Sequence, residues 1–375
     1  MDIGVCFAIV GVSLGLVTAC AADSARQPVG VPASRIDRLA KGANVCRWFR
    51  FPTATTDAHF ASYIGDEEAA LMRRMGLRHV RLCVEPKVLM NMTTGMPNPR
   101  ELGFLDAAIA RFAKHDLMTV VDIHNEGREL TETADAAARF VKFWTALAKH
   151  LATTDPELVL LELMNEPIFD GKEAEWFGLQ ERLAAAVRAQ APRHTLMATG
   201  PNWGGIDGLR KGKPLADRNV VYSFHCYDPF PFTHQGATWS SNNVKALRNV
   251  PYPSSPELVA PLMAGLPEDS QQMLTAYGNE RWNRAKLADR FGQAIEWGKT
   301  YGVPLYCGEF GVYPLVAPGD SRARWFADFG SILGENRVGW ASWGWDEGFG
   351  INRGHKDGKI VVDEIVAKSL GLKMP

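Results

Sequence analysis

Residues 158–167 read LVLLELMNEP: an apolar run broken once by Glu162, ending in the polar pair Asn165-Glu166 and then Pro167. Seven apolar-dominated residues flanked by polar ones fit a buried strand. Upstream, Phe140, Phe143, Trp144, Leu147 and Leu151 recur at i, i+3, i+4 and i+7, the spacing of one helical face. Downstream, Trp176, Leu179, Leu183 and Val187 do the same. This helix–strand–helix unit repeats along the chain. Strand-like runs occupy 79–85, 119–124, 195–200, 219–227, 303–309 and 338–345, with a weaker one around 42–44. Leu287, Phe291 and Ile295 mark another helical face, and Trp325, Phe329 and Ile332 one more. Buried strands alternating with one-faced helices call for a parallel sheet covered by helices. Eight strands fit a closed (β/α)₈ barrel better than an open sheet. An open dinucleotide-type fold would be favoured by a glycine-rich phosphate turn after its first strand, and none is present.

Two stretches resist the pattern. No helix is evident between Gly200 and Asn219. Residues 228–278, rich in Pro, Ser and Asn, read as one extended loop after the sixth strand, carrying Phe230, Phe232, Trp239 and Tyr252. Loops this long in a compact domain are commonly functional. The 375 residues hold 41 Lys+Arg against 42 Asp+Glu, so no basic field exists to attract nucleic acid or acidic lipid. Six cysteines are too few for a disulfide scaffold. Cys46, Cys83, Cys226 and Cys307 sit in or beside apolar runs and read as buried small hydrophobes, and no Cys/His spacing suits a zinc site.

At the amino terminus residues 3–19 are almost wholly apolar, as in an export signal, although Asp2 stands where Lys or Arg is usual. Val17-Thr18-Ala19-Cys20 resembles a bacterial lipoprotein box, which makes Cys20 a possible lipid anchor. Ordinary cleavage after Ala21 and an uncleaved membrane anchor are the competing readings. The expected organisation is an export signal over 1–21, a tether over 22–34 and one barrel domain over 35–375. The chain is expected to act outside the cytoplasm, as a monomer.

In such a barrel chemistry sits at the carboxyl ends of the strands. Strand two carries Arg81, strand three ends in His124 and strand four ends in Asn165-Glu166. His225 and Tyr227 share one side of strand six, Glu309 ends strand seven, and Trp343 and Trp345 follow strand eight. Each alone has an ordinary structural explanation. Two glutamates with polar donors and aromatics at one end of one barrel are costly to assemble without use. Paired carboxyl groups suit glycoside hydrolysis, one as proton donor to the leaving oxygen and the other as the anion.

The set Arg81, His124, Asn165-Glu166, His225-x-Tyr227, Glu309 and Trp343, in that order, together with Glu162-Leu163-Met164-Asn165-Glu166-Pro167 and Gly308-Glu309-Phe310-Gly311, resembles glycoside hydrolase family 5, the cellulase-like barrel glycosidases. Gly42-Ala43-Asn44 resembles the first-strand turn of that family. The resemblance implies a retaining reaction with Glu309 as nucleophile and Glu166 as acid/base. It implies that Arg81 and Tyr227 keep Glu309 ionised, and that burial and negative charge keep Glu166 protonated. Asn165, His124 and His225 would hold sugar hydroxyls or orient partners, and Trp343, with Trp345 as the competing choice, would stack on the sugar. Trp203, Trp239 and Phe232 are candidates for further sugar subsites. Near-zero charge and 11 Trp suit an uncharged β-linked polysaccharide. Internal β-1,4-glucan cleavage is the leading expectation; β-mannan, xyloglucan or exo-acting β-1,3-glucan cleavage, and an inactive carbohydrate-binding barrel, are the alternatives. No metal or organic cofactor is implied.

Overall fold

The computed structural model describes Met1 and residues 30–125 and 129–375. The expected export signal, with Cys20, lies outside the described residues. Among those described, no helix is long and apolar enough to cross a membrane.

Eight strands close into a barrel: β1 Gly42–Phe49, β2 His79–Val84, β3 Met118–Ile123, β4 Val159–Glu162, β5 Leu196–Thr199, β6 Val220–His225, β7 Leu305–Glu309 and β8 Gly339–Ser342. Each pairs in parallel with its sequence neighbours, and β1 pairs with β8 to complete the ring. The barrel helices are α1 Asp66–Met75, α2 Pro99–Lys114, α3 Ala134–Leu151, α4 Glu173–Gln190, α5 Ile206–Lys211, α6 Arg284–Tyr301, α7 Gly319–Glu335 and α8 Glu364–Ser369. The apolar faces read from the sequence meet the sheet: Phe140, Phe143, Trp144, Leu147 and Leu151 are all fully buried, as are Trp176, Leu183 and Val187. Such a stripe removes a helix's apolar area from water and leaves its polar face solvated.

The interior is packed in layers. Near the amino-terminal end Met118, Val120, Leu160, Met197, Val221, Tyr306 and Ala341 form one apolar cluster with Leu39. Because side chains alternate along a strand, the residues two and four beyond Val120 on the same face of β3 are Asp122 and His124. The barrel is thus apolar below and polar above. Val31 and Ile36 pack against the lower cluster, and Ala33–Arg38 forms a short helix across it. Buried Arg35 bonds the Glu157 carboxylate, the Arg193 carbonyl and the Thr195 hydroxyl. Val31 and the helix Ala33–Arg38, at the edge of the expected tether, thus help seal the bottom of the barrel.

Both irregular stretches differ from expectation. A short helix, α5, does lie between Gly200 and Asn219; at six residues it is too short for a period to show, and it packs so closely that a Cβ on Gly208 would stand 1.7 Å from the Pro201 carbonyl oxygen. The segment after β6 is a folded subassembly rather than one loop. It holds short helices at Phe230–Thr233, Asn242–Lys245 and Pro256–Val259 and a 13-residue helix at Glu268–Glu280. Gln235, fully buried, bonds the carbonyls of Phe232 and Val250 and accepts from the Val250 amide. The Tyr252 hydroxyl donates to Asp328 on α7, which pins the segment to the barrel.

Gly42 starts β1 against the ring of His79, whose Nε2 lies 2.7 Å from the Tyr306 hydroxyl. A Cβ there would come within 2.2 Å of that buried ring. Gly42→Ala is expected to lower unfolding free energy by about 1–3 kcal/mol, the usual cost of overpacking. Urea unfolding would read this, and an unchanged midpoint would show that the ring gives way freely.

Candidate active site

The polar layer is organised by one guanidinium. Arg81, on β2 and fully buried, donates from Nε and Nη2 to both oxygens of Glu162 at 2.7 and 3.0 Å. Its Nη1 reaches Asn44 Oδ1 at 2.8 Å and Glu309 Oε1 at 2.9 Å. Its Nη2 also reaches Asn165 Oδ1 at 2.7 Å and lies 3.1 Å from Asp122. Asn44 in turn donates to the carbonyls of Gly308 and Ser342, tying β1 to the ends of β7 and β8.

Above this floor sit the two carboxyl groups. Glu309 is 4% exposed; its Oε1 accepts from Arg81 and its Oε2 from the Tyr227 hydroxyl at 3.1 Å. The Glu166 Oε1 lies 2.7 Å from His225 Nδ1, which is also 3.7 Å from Glu309. One oxygen of each glutamate and the His225 nitrogen all lie within 4.8 Å of one another. Burial holds His225 down at about 4, so at neutral pH it is a neutral imidazole between the two acids. His124 Nδ1 lies 2.6 Å from Asp122, and its ring stacks on Trp343 with centroids 5.4 Å apart. Burial opposes charge on His124, yet Cys83 and Asp122 outweigh it and favour the imidazolium.

Arg81, His124, Asn165, Glu166, His225, Tyr227, Glu309 and Trp343 converge on this end of the barrel. Trp343 is the cleft-facing tryptophan; Trp345 is fully buried and donates its indole N–H to Glu68. Trp203 and Trp239, 50% and 59% exposed, line the cleft, whereas Phe232 is completely buried and packs on Tyr252 and Trp325. Trp203 is presented by a turn in which Asn202, Trp203 and Gly204 all have positive φ, at 61°, 62° and 62°. A tryptophan in that region is strained, so surrounding contacts must hold it; its N–H donates to the Pro167 carbonyl at 3.3 Å. The cleft has a volume of about 1120 Å³ and runs from Arg47 and Phe51 at β1 across to Trp203, with Phe349 and Tyr313 on its rim.

The surroundings of Glu309 pull its acidity in opposite directions. Arg81 and Tyr227 do bond Glu309, but its carboxyl is nonetheless raised above the ordinary range: burial dominates, Glu166 adds to it, and the Arg81 charge is shared among three carboxylates. Asn44, Asp122 and Glu162 were not picked out from the sequence as site residues. Parity offered a signal for Asp122, two residues before His124 on the same strand face.

Two of the site's side chains also carry polar atoms that are unpaired among the described residues. Asn165 Nδ2 and His225 Nε2 are buried without hydrogen-bond partners. Buried polar atoms are rarely left so unless something else satisfies them.

Comparison with known proteins agrees with this geometry. A model of the cellulase family, glycosyl hydrolase family 5, matches residues 39–348. Endoglucanase C of Acetivibrio thermocellus is 29% identical over 335 residues, covering 87% of this chain and 96% of that one. Among solved structures, Thermotoga maritima Cel5A in complex with cellobiose, in a mutant form, superposes with a TM-score of 0.74 at 23% identity, covering 91% of this chain and 99% of that one. The same protein in complex with mannotriose gives a TM-score of 0.73 at 23% identity, covering 90% and 98%.

A carboxyl whose folded value is raised binds protons on folding, so its ionisation weakens the fold as pH rises through that value. Glu309→Gln removes this penalty. The variant is expected to melt at or above the wild-type temperature at neutral pH, with the difference shrinking toward zero as pH falls to about 4, where the carboxyl is protonated folded or unfolded. Melting curves from pH 4 to 8 would test this; a constant deficit at every pH would refute it.

Proposed function

The chain belongs to the cellulase family, glycosyl hydrolase family 5, and from that premise we propose that it is a retaining endo-β-1,4-glucanase. Glu166 and Glu309, at the ends of β4 and β7 with oxygens within 4.8 Å, carry the proposal. Retaining pairs stand about 5–5.5 Å apart, and inverting pairs need roughly 6.5–9.5 Å to admit a water between them. Glu309 attacks the anomeric carbon while Glu166 gives its proton to the leaving oxygen; Glu166 then takes a proton from the water that releases the sugar. The Arg81 and Tyr227 bonds fix the Glu309 carboxylate in line for attack, which lowers the orientational cost of the step. His225, neutral at working pH, passes hydrogen-bond character to Glu166 without adding a competing charge. Asn165 Nδ2, which has no partner in the empty site, is placed to donate to a hydroxyl beside the reacting carbon, a bond that strengthens at the transition state. Trp343 offers a flat apolar face for the sugar ring.

The substrate assignment rests on an open cleft with exposed aromatics at its rim and on the endoglucanases that match along most of the chain. A β-mannanase is the second reading, favoured by the mannotriose complex of the Thermotoga protein. The apolar run of 3–19 supports export, with Cys20 as a candidate lipid-bearing residue, and the enzyme is proposed to act as a monomer.

Reducing-sugar release from carboxymethyl-cellulose, mixed-linkage glucan, xylan, mannan and laminarin tests the assignment. The two β-1,4-linked glucans are expected to release most. Glu166→Ala and Glu309→Ala are each expected to lose about 10³-fold or more. The first anomer formed, followed by proton NMR, is expected to be β. Faster release from mannan would favour the second reading, and an α product or near-normal activity in Glu309→Gln would overturn the mechanism.

A further inference from the structure

Arg47 is the one exposed residue of β1, in a strand whose other seven positions are buried. It lines the cleft, yet makes no hydrogen bond or ion pair with any described residue. The acids nearest to it are bonded elsewhere. Asp346 takes a hydrogen bond from the Tyr63 hydroxyl, and Glu68 is held by Trp345 and Asn352. Glu347 lines the same cleft wall, but its carboxyl is sealed from solvent against that of Asp346. Burial, reinforced by Asp346 in the case of Glu347, pushes both carboxyls above the usual range, and the Arg47 charge draws both back toward it. A guanidinium with no hydrogen-bond partner of its own thus stands at one end of the cleft, the one Lys or Arg among its lining residues. Beside it Phe51 is 47% exposed, and Arg50 lies over the Phe51 ring at 4.3 Å.

The position of this charge follows from the barrel. Glu166 and Trp203 stand at β4 and the β5 turn, so the leaving half of the chain lies on that side if Glu166 protonates the leaving oxygen. Arg47 and Phe51, at β1, are across the barrel and face the half that is retained on Glu309. We propose that Arg47 makes the glycone side of the cleft a subsite for a neutral-backbone glucan that carries acidic substituents, the guanidinium taking the carboxylate and Phe51 the adjoining sugar face. A guanidinium matches a carboxylate through two parallel N–H donors, which an ammonium cannot reproduce. This inference rests on the placement of Glu166 as acid; the backbone sugar is a separate matter, which the test leaves free.

The test compares two ethers of one backbone, carboxymethyl-cellulose and hydroxyethyl-cellulose, matched in substitution; if the wild type cleaves mannan faster, the corresponding mannan ethers replace them. The quantity read is the ratio of kcat/KM on the acidic to that on the neutral ether. Wild type is expected to favour the acidic ether at low salt. Arg47→Gln is expected to lower that ratio about five-fold, with Arg47→Lys between the two, and all three proteins melting close together because Arg47 is exposed and has no hydrogen bond to lose. Raising salt from about 10 mM to about 1 M, where the screening length falls to about 3 Å, should erase the wild-type preference and leave Arg47→Gln unchanged. Equal losses on both ethers, or no loss on either, would overturn the proposal. So would a preference that survives high salt.

Discussion

A single buried cation, Arg81, sets the terms for the whole upper half of the barrel. Taking a guanidinium out of water is expensive, and it persists in an interior only where its donors are met. Here they are met from five other positions: Asn44 on β1, Asp122 on β3, Glu162 at the end of β4 with Asn165 just beyond it, and Glu309 on β7. The strands bearing those partners must therefore end at matching heights around the ring. Parallel pairing of β2 with β3 and of β3 with β4 puts Arg81, Val120 and Leu160 in register, which brings those ends level. One guanidinium cannot fully compensate three carboxylates. Asp122, with Arg81 and His124 both against it, is held below the ordinary range despite its burial, while Glu162 and Glu309 are pushed above it. A group meant to attack carbon gains from being less stabilised as an anion than a surface glutamate would be, so the shared cation orients Glu309 without pacifying it.

Most of the architecture was legible because the strands and helices obey different periods. Runs such as 158–165 are long enough to be seen, and the long helices show three or four repeats of their apolar face. The failures have physical causes. Helix α5 has six residues, fewer than two turns, so no period exists to detect. The helix at Glu268–Glu280 buries Ser270, Leu274, Tyr277 and Gly278, a face half made of small or polar residues, and no apolar stripe marks it. Its core is shared with the rest of the segment after β6 rather than with the sheet. Phe232, Val244, Leu247, Val250 and Tyr252 are buried there, so a stretch rich in Pro and Asn is nevertheless packed.

The site shows the same division. Residues that end strands were found because topology alone carries them to the mouth of the barrel. Asn44 lies in the weakest strand signal, and Glu162 looked like an interruption of an apolar run when it is in fact the bidentate partner of Arg81. Rim residues such as Tyr313, Phe349, Arg47 and Glu347 could not be ranked, because their direction depends on loop geometry that no period encodes. Trp203 illustrates the point. Its sequence context gives a tryptophan between Asn and Gly, and only the three successive positive φ angles explain why it stands half exposed over the cleft.

Some buried polar atoms of the upper half have no hydrogen-bond partner among the described residues. Asn165 Nδ2, just beyond β4, and His225 Nε2, on β6, are among them. Each costs stability in the empty protein, on the order of 1–3 kcal/mol for an unsatisfied buried group. The lower half of the barrel is where that cost is offset, with its sealed apolar cluster, the Arg35 anchor and fully buried helix faces. A fold with a dry, closed lower half can tolerate an upper half whose hydrogen bonds are completed only by a ligand. Preorganised donors of this kind need no reorientation when charge develops on the substrate, so the instability of the empty cleft and its capacity for catalysis have one origin.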